Sequence, residues 1–139
     1  MDTIVLIACA SKKLLHKARA RDLYISSLFR MNLKYAHQFS PQKIFILSAK
    51  YGLVQMDEEI KPYDVTLNKM SAGERRAWAA KVIEQLKEHC DLESNHFVIL
   101  AGQKYRQYLL PYLKNYEVPL AGLPIGKQLQ FLKEKTSSE

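Results

Sequence analysis

The sequence predicts an α/β fold: a three-layer sandwich around a mostly parallel sheet of about four strands. Three apolar runs, Ile4-Val5-Leu6-Ile7, Ile44-Phe45-Ile46-Leu47 and Phe97-Val98-Ile99-Leu100, have the length and composition of strands. Each is continuous rather than alternating, which marks a strand buried on both faces, as in a parallel sheet covered by helices. Helical patterns separate the runs, and alternating strands and helices imply crossover connections and a Rossmann-like arrangement.

The first run, Ile4 to Ala8, is too short for a signal-peptide core and no basic region precedes it, so it reads as a strand. From Asp22 to about Gln38, Tyr24, Leu28, Met31 and Tyr35 recur at helical spacing and predict one amphipathic helix. The second strand follows. Tyr51 to Met70 shows no regular pattern and is expected to be a long loop. Ser71 and Glu74 then form an S-x-x-E capping box, and Trp78, Val82 and Leu86 continue a helix toward Cys90. After the third strand, a short helix is predicted from Lys104 to Leu110, where Pro111 ends or kinks it. Val118-Pro119-Leu120 is the fourth strand candidate, confined to an edge by its proline. A last helix runs from Gly126 to about Lys135. The expected organisation is one domain over residues 1–135 and a frayed tail over 136–139.

Composition narrows the function classes. At 139 residues the chain has the size of one domain, and no apolar run reaches the roughly 18 residues needed to span a bilayer. A soluble, cytoplasmic protein is expected, with no membrane partner. Cys9 and Cys90 supply neither a disulfide framework nor paired zinc-ligand spacing. The four histidines show no ligand spacing either, so no metal is expected. A net charge of +7 and a pI near 9.4 favour a polyanionic partner, nucleic acid or nucleotide.

Open parallel sheets bind ligands outside the carboxyl ends of their strands. That rule selects Cys9 to Lys13, Ser48 to Gly52, Ala101 to Tyr105 and Gly122 to Lys127. Each contains a lysine and three contain glycine, a composition suited to cradling an anion. No Walker loop or G-x-G-x-x-G fingerprint is present, so no ATP, NAD or other cofactor is expected. Ser11, Lys12 and Lys13 form either a ligand-binding or catalytic turn, with a lysine pKa depressed by burial or neighbouring cations, or a solvated basic turn. Cys9 reads as a small strand-end residue rather than a nucleophile. Pro62-Tyr63-Asp64 offers either an aromatic beside a carboxylate for general acid/base work, or a loop plug beside a turn cap. The tyrosines at 105, 108, 112 and 116 suggest helical packing more than base stacking.

The quoted blocks resemble a bacterial and phage family of unknown function. They are Cys9 to Lys13, Ala20 to Phe29 (Ala-Arg-Asp-Leu-Tyr-Ile-Ser-Ser-Leu-Phe), Leu47 to Val54, Pro62 to Asp64, Thr66-Leu67, Glu74 to Ala79, Leu100 to Tyr105 and Pro119 to Leu129. More remotely, the Ser-Lys-Lys turn and the Gly-Lys-Gln-Leu block are similar to elements of the YaaA peroxide-stress proteins and of the middle domain of archaeosine synthase. That domain looks like the uracil-DNA-glycosylase fold, so the resemblance implies a uracil-DNA-glycosylase-like sandwich and a link to nucleic acids or modified bases.

Together these readings give an expected nucleobase- or nucleic-acid-processing protein, a glycosidase-like hydrolase. The alternatives are a non-enzymatic nucleic-acid-binding stress-response protein and a nucleotide sensor. The candidate catalytic residues are Asp64, which would orient water, Asp22 as an alternative carboxylate, and Lys12. Ser11, Lys12 and Lys50 would hold phosphate or transition-state charge, with Lys13 also on the binding surface, and Tyr51 or Tyr63 would stack on the base. Tyr24, Ser26, Ser48, Gly102, Gln103, Gly126 and Gln128 complete the expected binding surface.

Overall fold

The computed structural model describes residues 2–137. Strand β1 (Thr3–Ala8) leads to a short β2 (Ala18–Arg19), to α1 (Ala20–Leu23) and to α2 (Ser27–His37). Then come β3 (Lys43–Ser48), β4 (Gly52–Gln55), β5 (Glu59–Ile60) and α3 (Ala72–Lys87). The chain closes with β6 (His96–Leu100), α4 (Gln103–Arg106), β7 (Asn115–Glu117) and α5 (Ile125–Thr136).

Five strands form one sheet in the order β4-β3-β1-β6-β7. It is mostly parallel: β1 pairs in parallel with β3 and β6, β6 with β7, and β4 alone runs antiparallel, against β3. The three continuous apolar runs are its three central strands, as expected for a sheet buried on both sides. Successive residues of β1 feed opposite cores. Ile4 and Leu6 join one with Trp78, Val82 and Leu86 of α3, while Val5 and Ile7 join the other with Leu23, Phe29 and Leu132. All four β1 side chains are fully buried. Burying each apolar side chain of this kind contributes roughly 1.5–3 kcal/mol, so β1 is the mechanical centre of the molecule.

Several expectations are corrected. The helix expected from Asp22 to Gln38 is two, broken at Tyr24 to Ser26. Ser26 is extended (φ −73°, ψ 152°) and its hydroxyl accepts from the Phe29 amide, so a cap interrupts what periodicity joined. The buried face of α2 is Phe29, Asn32, Tyr35 and Ala36, whereas Leu28 and Met31 are only half-buried. The expected long loop contains β4, which turns back on β3, and β5, which pairs with β2 as a separate two-stranded ribbon. β5 is two residues long and its partner β2 lies far back in the chain, so nothing in the local sequence marks it, whereas β4 is the second arm of a hairpin with the preceding β3, closed at Gly52.

The fourth strand lies at 115–117, ahead of Val118-Pro119-Leu120. Proline at 119 lacks the amide a strand needs, and the pairing stops before it. The helix expected over 104–110 is a single turn of α4, and Pro111 sits within a following 3-10 turn over 110–112. The tyrosines at 105, 108, 112 and 116 therefore fall on different elements and form no stripe. Helix α5 extends through Thr136, whose buried hydroxyl donates to the Leu132 carbonyl at 2.7 Å, so Thr136 belongs to the helix rather than to a tail. Residues 138–139 lie outside the described residues.

The capping box of α3 is present in full. The Ser71 hydroxyl accepts from the Glu74 amide at 3.1 Å, and the Glu74 carboxylate accepts from the Ser71 amide at 3.0 Å. No helix among the described residues is long and apolar enough to cross a membrane.

Candidate functional site

The chain leaves β1 toward one side of the sheet, to β3, and returns through α3 to β6 on the other. The strand order reverses between β1 and β6, and crevices at such reversals, at the carboxyl ends of the strands, are where open α/β sheets bind ligands. A small cleft, partly open to solvent, lies there, lined by Cys9, Ser26, Asn32, Gly102, Arg106 and Gln128 among others. A second small cleft lies across the Cys9-Ala10-Ser11 loop and is bounded by Thr66, Asn68 and Tyr105.

Asn32 is the unusual group in the first cleft. It is 6% exposed, and its carboxamide oxygen is buried without a hydrogen-bond partner. Leaving such an acceptor unpaired costs about 1–3 kcal/mol. Arg106 stands in the same lining, held by a 2.8 Å bond from Nη1 to the Ala101 carbonyl, and the Gln128 amide donates to the Leu123 carbonyl at 2.8 Å. Among the described residues, none of the ion pairs includes Arg106.

Beneath the loops runs a network of hydroxyls. Ser48, at the end of β3, is fully buried; its hydroxyl donates to Tyr63 Oη at 2.8 Å and accepts from the Lys50 and Tyr51 amides. Tyr63 Oη lies 2.6 Å from Tyr24 Oη. The Ser48 carbonyl accepts from Trp78 Nε1 at 2.9 Å, tying the turn to α3. Tyr105 Oη, 3.6 Å from Cys9 Sγ, also accepts from the Leu67 amide. Burial pushes the phenols of Tyr24 and Tyr63 well above their usual range and raises Tyr105 to about 12, with Cys9 adding to the rise in all three. At neutral pH these groups are hydrogen-bonding phenols rather than bases.

Lys13 lies over this network. The main chain at 12–14 runs antiparallel to 23–25, with Leu14 N donating to Leu23 O and Ile25 N to Lys12 O, and this lays the Lys13 side chain across the aromatic rings. Its ammonium is 4.3 Å from the Tyr63 ring centre and 5.8 Å from that of Tyr24. Burial lowers its pKa, while Cys9 and the Asp64 carboxylate pull the other way.

The predicted site residues thus divide. Ser26, Gly102 and Gln128 line the first cleft and Ser11 the second. Lys13, Tyr24, Ser48 and Tyr63 meet in the network beneath, with Tyr51 edge-on to Tyr63 at 5.5 Å. Asp64 is exposed beside Lys13. Lys12, Asp22, Gln103 and Gly126 are exposed and line neither cleft; the Lys50 ammonium, also exposed, lies 5.4 Å from the Tyr51 ring centre. Sequence reasoning did not single out Asn32 or Arg106. A polar Asn on the buried face of a helix was the available signal for the first, concealed by assigning that face to Leu28 and Met31.

Fold and site define an α/β protein with a polar cleft at the switch point of its sheet. The chain belongs to DUF6884, a family of unknown function, whose model matches residues 4–134. Comparison with curated proteins and with solved structures finds no match.

Proposed function

We propose that this protein processes a nucleobase or nucleotide, by hydrolysis of a modified base or its N-glycosidic bond, with the base seated in the cleft between β1 and β6. The finer fold reading that accompanies it is a three-layer, uracil-DNA-glycosylase-like sandwich, supported by helices packed on both faces of the sheet.

One observation carries the proposal: the unpartnered Asn32 carboxamide oxygen in the wall of a switch-point cleft. A carboxamide offers one donor face and one acceptor face, the pattern that base edges present. Ser26 and Gln128 add polar atoms beside it, and Arg106 supplies a cation for phosphate or developing negative charge. Ser11, Lys12, Lys13 and Lys50 remain the phosphate-holding group on the other side of the loop. Tyr63 is already engaged by Ser48, Tyr24 and Lys13, which makes it a support for that group and leaves Tyr51 as the aromatic for stacking. Asp64 orients the water, with Asp22 as the alternative carboxylate. In such a hydrolysis the water oxygen bonds to the sugar carbon as the carbon–nitrogen bond breaks; one water proton passes to the carboxylate, which releases it to solvent, and the departing base nitrogen takes up a proton from solvent.

The test is calorimetric titration with free bases, nucleosides and nucleotides, followed by chromatography for base released from oligonucleotides carrying modified bases. Binding abolished by Asn32→Leu, with release abolished by Asp64→Asn or Asp22→Asn, supports the proposal. Binding without turnover on any substrate would instead leave a nucleotide sensor or a non-enzymatic nucleic-acid binder. No binding to any of these ligands would overturn it.

A further inference from the structure

A strip of unpaired cations leads away from the second cleft. Asn68, in the wall of that cleft, accepts from Lys104 Nζ through its carbonyl at 3.2 Å. One turn further along the same segment, Gln107 accepts from Arg75 Nη1 at 3.0 Å. Arg75 and Arg76, in the first turns of α3, both lie on Tyr108, with guanidinium carbons 5.6 and 4.9 Å from the ring centre. Arg75 Nε is buried and has no partner. Among the described residues none of Lys69, Lys104, Arg75 or Arg76 is in an ion pair. The nearest acid in sequence, Glu74, is engaged in the capping box with Ser71, and that box occupies amides at the start of α3. An anion here would therefore be held by side chains rather than by the helix end.

Two adjacent guanidiniums fixed on one aromatic ring without a counter-charge repel each other, and the arrangement is relieved by anions spread along the surface. Guanidinium forks match phosphate oxygens, and a line of cations that begins at a cleft wall fits a chain of phosphates better than one. We infer that Lys104, Arg75 and Arg76 form a backbone-binding strip for a single nucleic-acid strand whose reacting nucleotide occupies the clefts. This rests on the nucleotide reading above and deepens it: the substrate is a polymer rather than a free nucleotide.

The experiment is fluorescence-anisotropy titration of the full chain with a labelled 12-nucleotide strand across a salt series, beside calorimetry with the mononucleotide. The variants are Arg76→Gln/Lys104→Gln, both exposed and remote from the core, and Arg75→Gln, each checked for fold by circular dichroism. The expected result is at least a tenfold loss of strand affinity in the double variant. Its salt dependence should become shallower by about 1.4 in log–log slope, two contacts at roughly 0.7 each on a single strand, with mononucleotide affinity unchanged. Strand affinity and slope unaltered in folded variants would overturn the strip while leaving the cleft reading intact. Strand binding lost in the variants, with no mononucleotide binding in any protein, would uphold the strip and sink the cleft reading. Equal binding of polyglutamate of matching charge would reduce the strip to a generic polyanion face and overturn the nucleic-acid assignment.

Discussion

Tyr24 and Tyr63, brought together from opposite ends of the β2–β5 ribbon, share a 2.6 Å hydroxyl contact, and Ser48 donates to the second of them. The Lys50 and Tyr51 amides feed the Ser48 hydroxyl, so one connected path crosses from the β3–β4 turn to Tyr24, the residue that follows α1. The loops carrying Lys13 and Asp64 sit on this path, and its integrity sets their geometry.

Raised phenol pKa values make the network sensitive to alkali. Folding favours the protonated phenol, so its contribution is complete below the unfolded value near 10 and is lost as pH rises through the folded value. For Tyr105 that window runs from roughly 10 to about 12, with Tyr24 and Tyr63 also displaced upward. Phenolate absorbance should show a late component, and Tyr105→Phe should remove one phenol from it. A single early transition for all eight tyrosines in the folded protein would contradict this.

The same linkage has the opposite sign at Lys13. Its folded pKa lies below its unfolded value, so the unfolded chain holds more protons between the two and stability rises with pH through that interval. NMR of the ¹³C-dimethylated protein should show the Lys13 resonance titrating at lower pH than in the urea-unfolded chain. Asp64→Asn should lower it further, because a carboxylate that favours the ammonium is removed.

Asn32→Leu separates stability from binding. It exchanges an unsatisfied buried acceptor for an apolar group of similar size, removing a penalty of about 1–3 kcal/mol. The ligand-free protein should melt at or above the wild-type temperature while nucleotide binding disappears. A variant that melts several degrees lower would show that Asn32 is structural.

Gly52→Ala should be among the most destabilising single changes. Gly52 has φ +78°, and a Cβ there would run into the Gln85 carboxamide oxygen, which accepts from the Leu53 amide at 2.8 Å. Left-handed strain of roughly 1–2 kcal/mol and a displaced hydrogen bond worth about 1 kcal/mol predict a loss of about 2–3 kcal/mol in urea unfolding. Gln85→Ala in the same background should recover part of it.

The α/β class, the three central strands and α3 with its capping box are legible in the amino-acid order alone. These are set by local signals: continuous apolar runs that require two covered faces, and a Ser-x-x-Glu spacing that closes its own hydrogen bonds. The amino-acid order also marked the strand ends where Ser48 and Gly102 lie. Tertiary structure alone decided the rest. β5 exists because of a distant pairing partner, β2; the break at Ser26 is a capping choice that periodicity overlooks; and Asn32 matters because a helix face defined only by packing turns its amide into the cleft. Arg75 and Tyr108 likewise become neighbours only when α3 and the segment after α4 dock on the same face of the sheet. Local chemistry writes itself into adjacent residues, whereas a site assembled from several strand ends is a property of how the chain crosses the sheet.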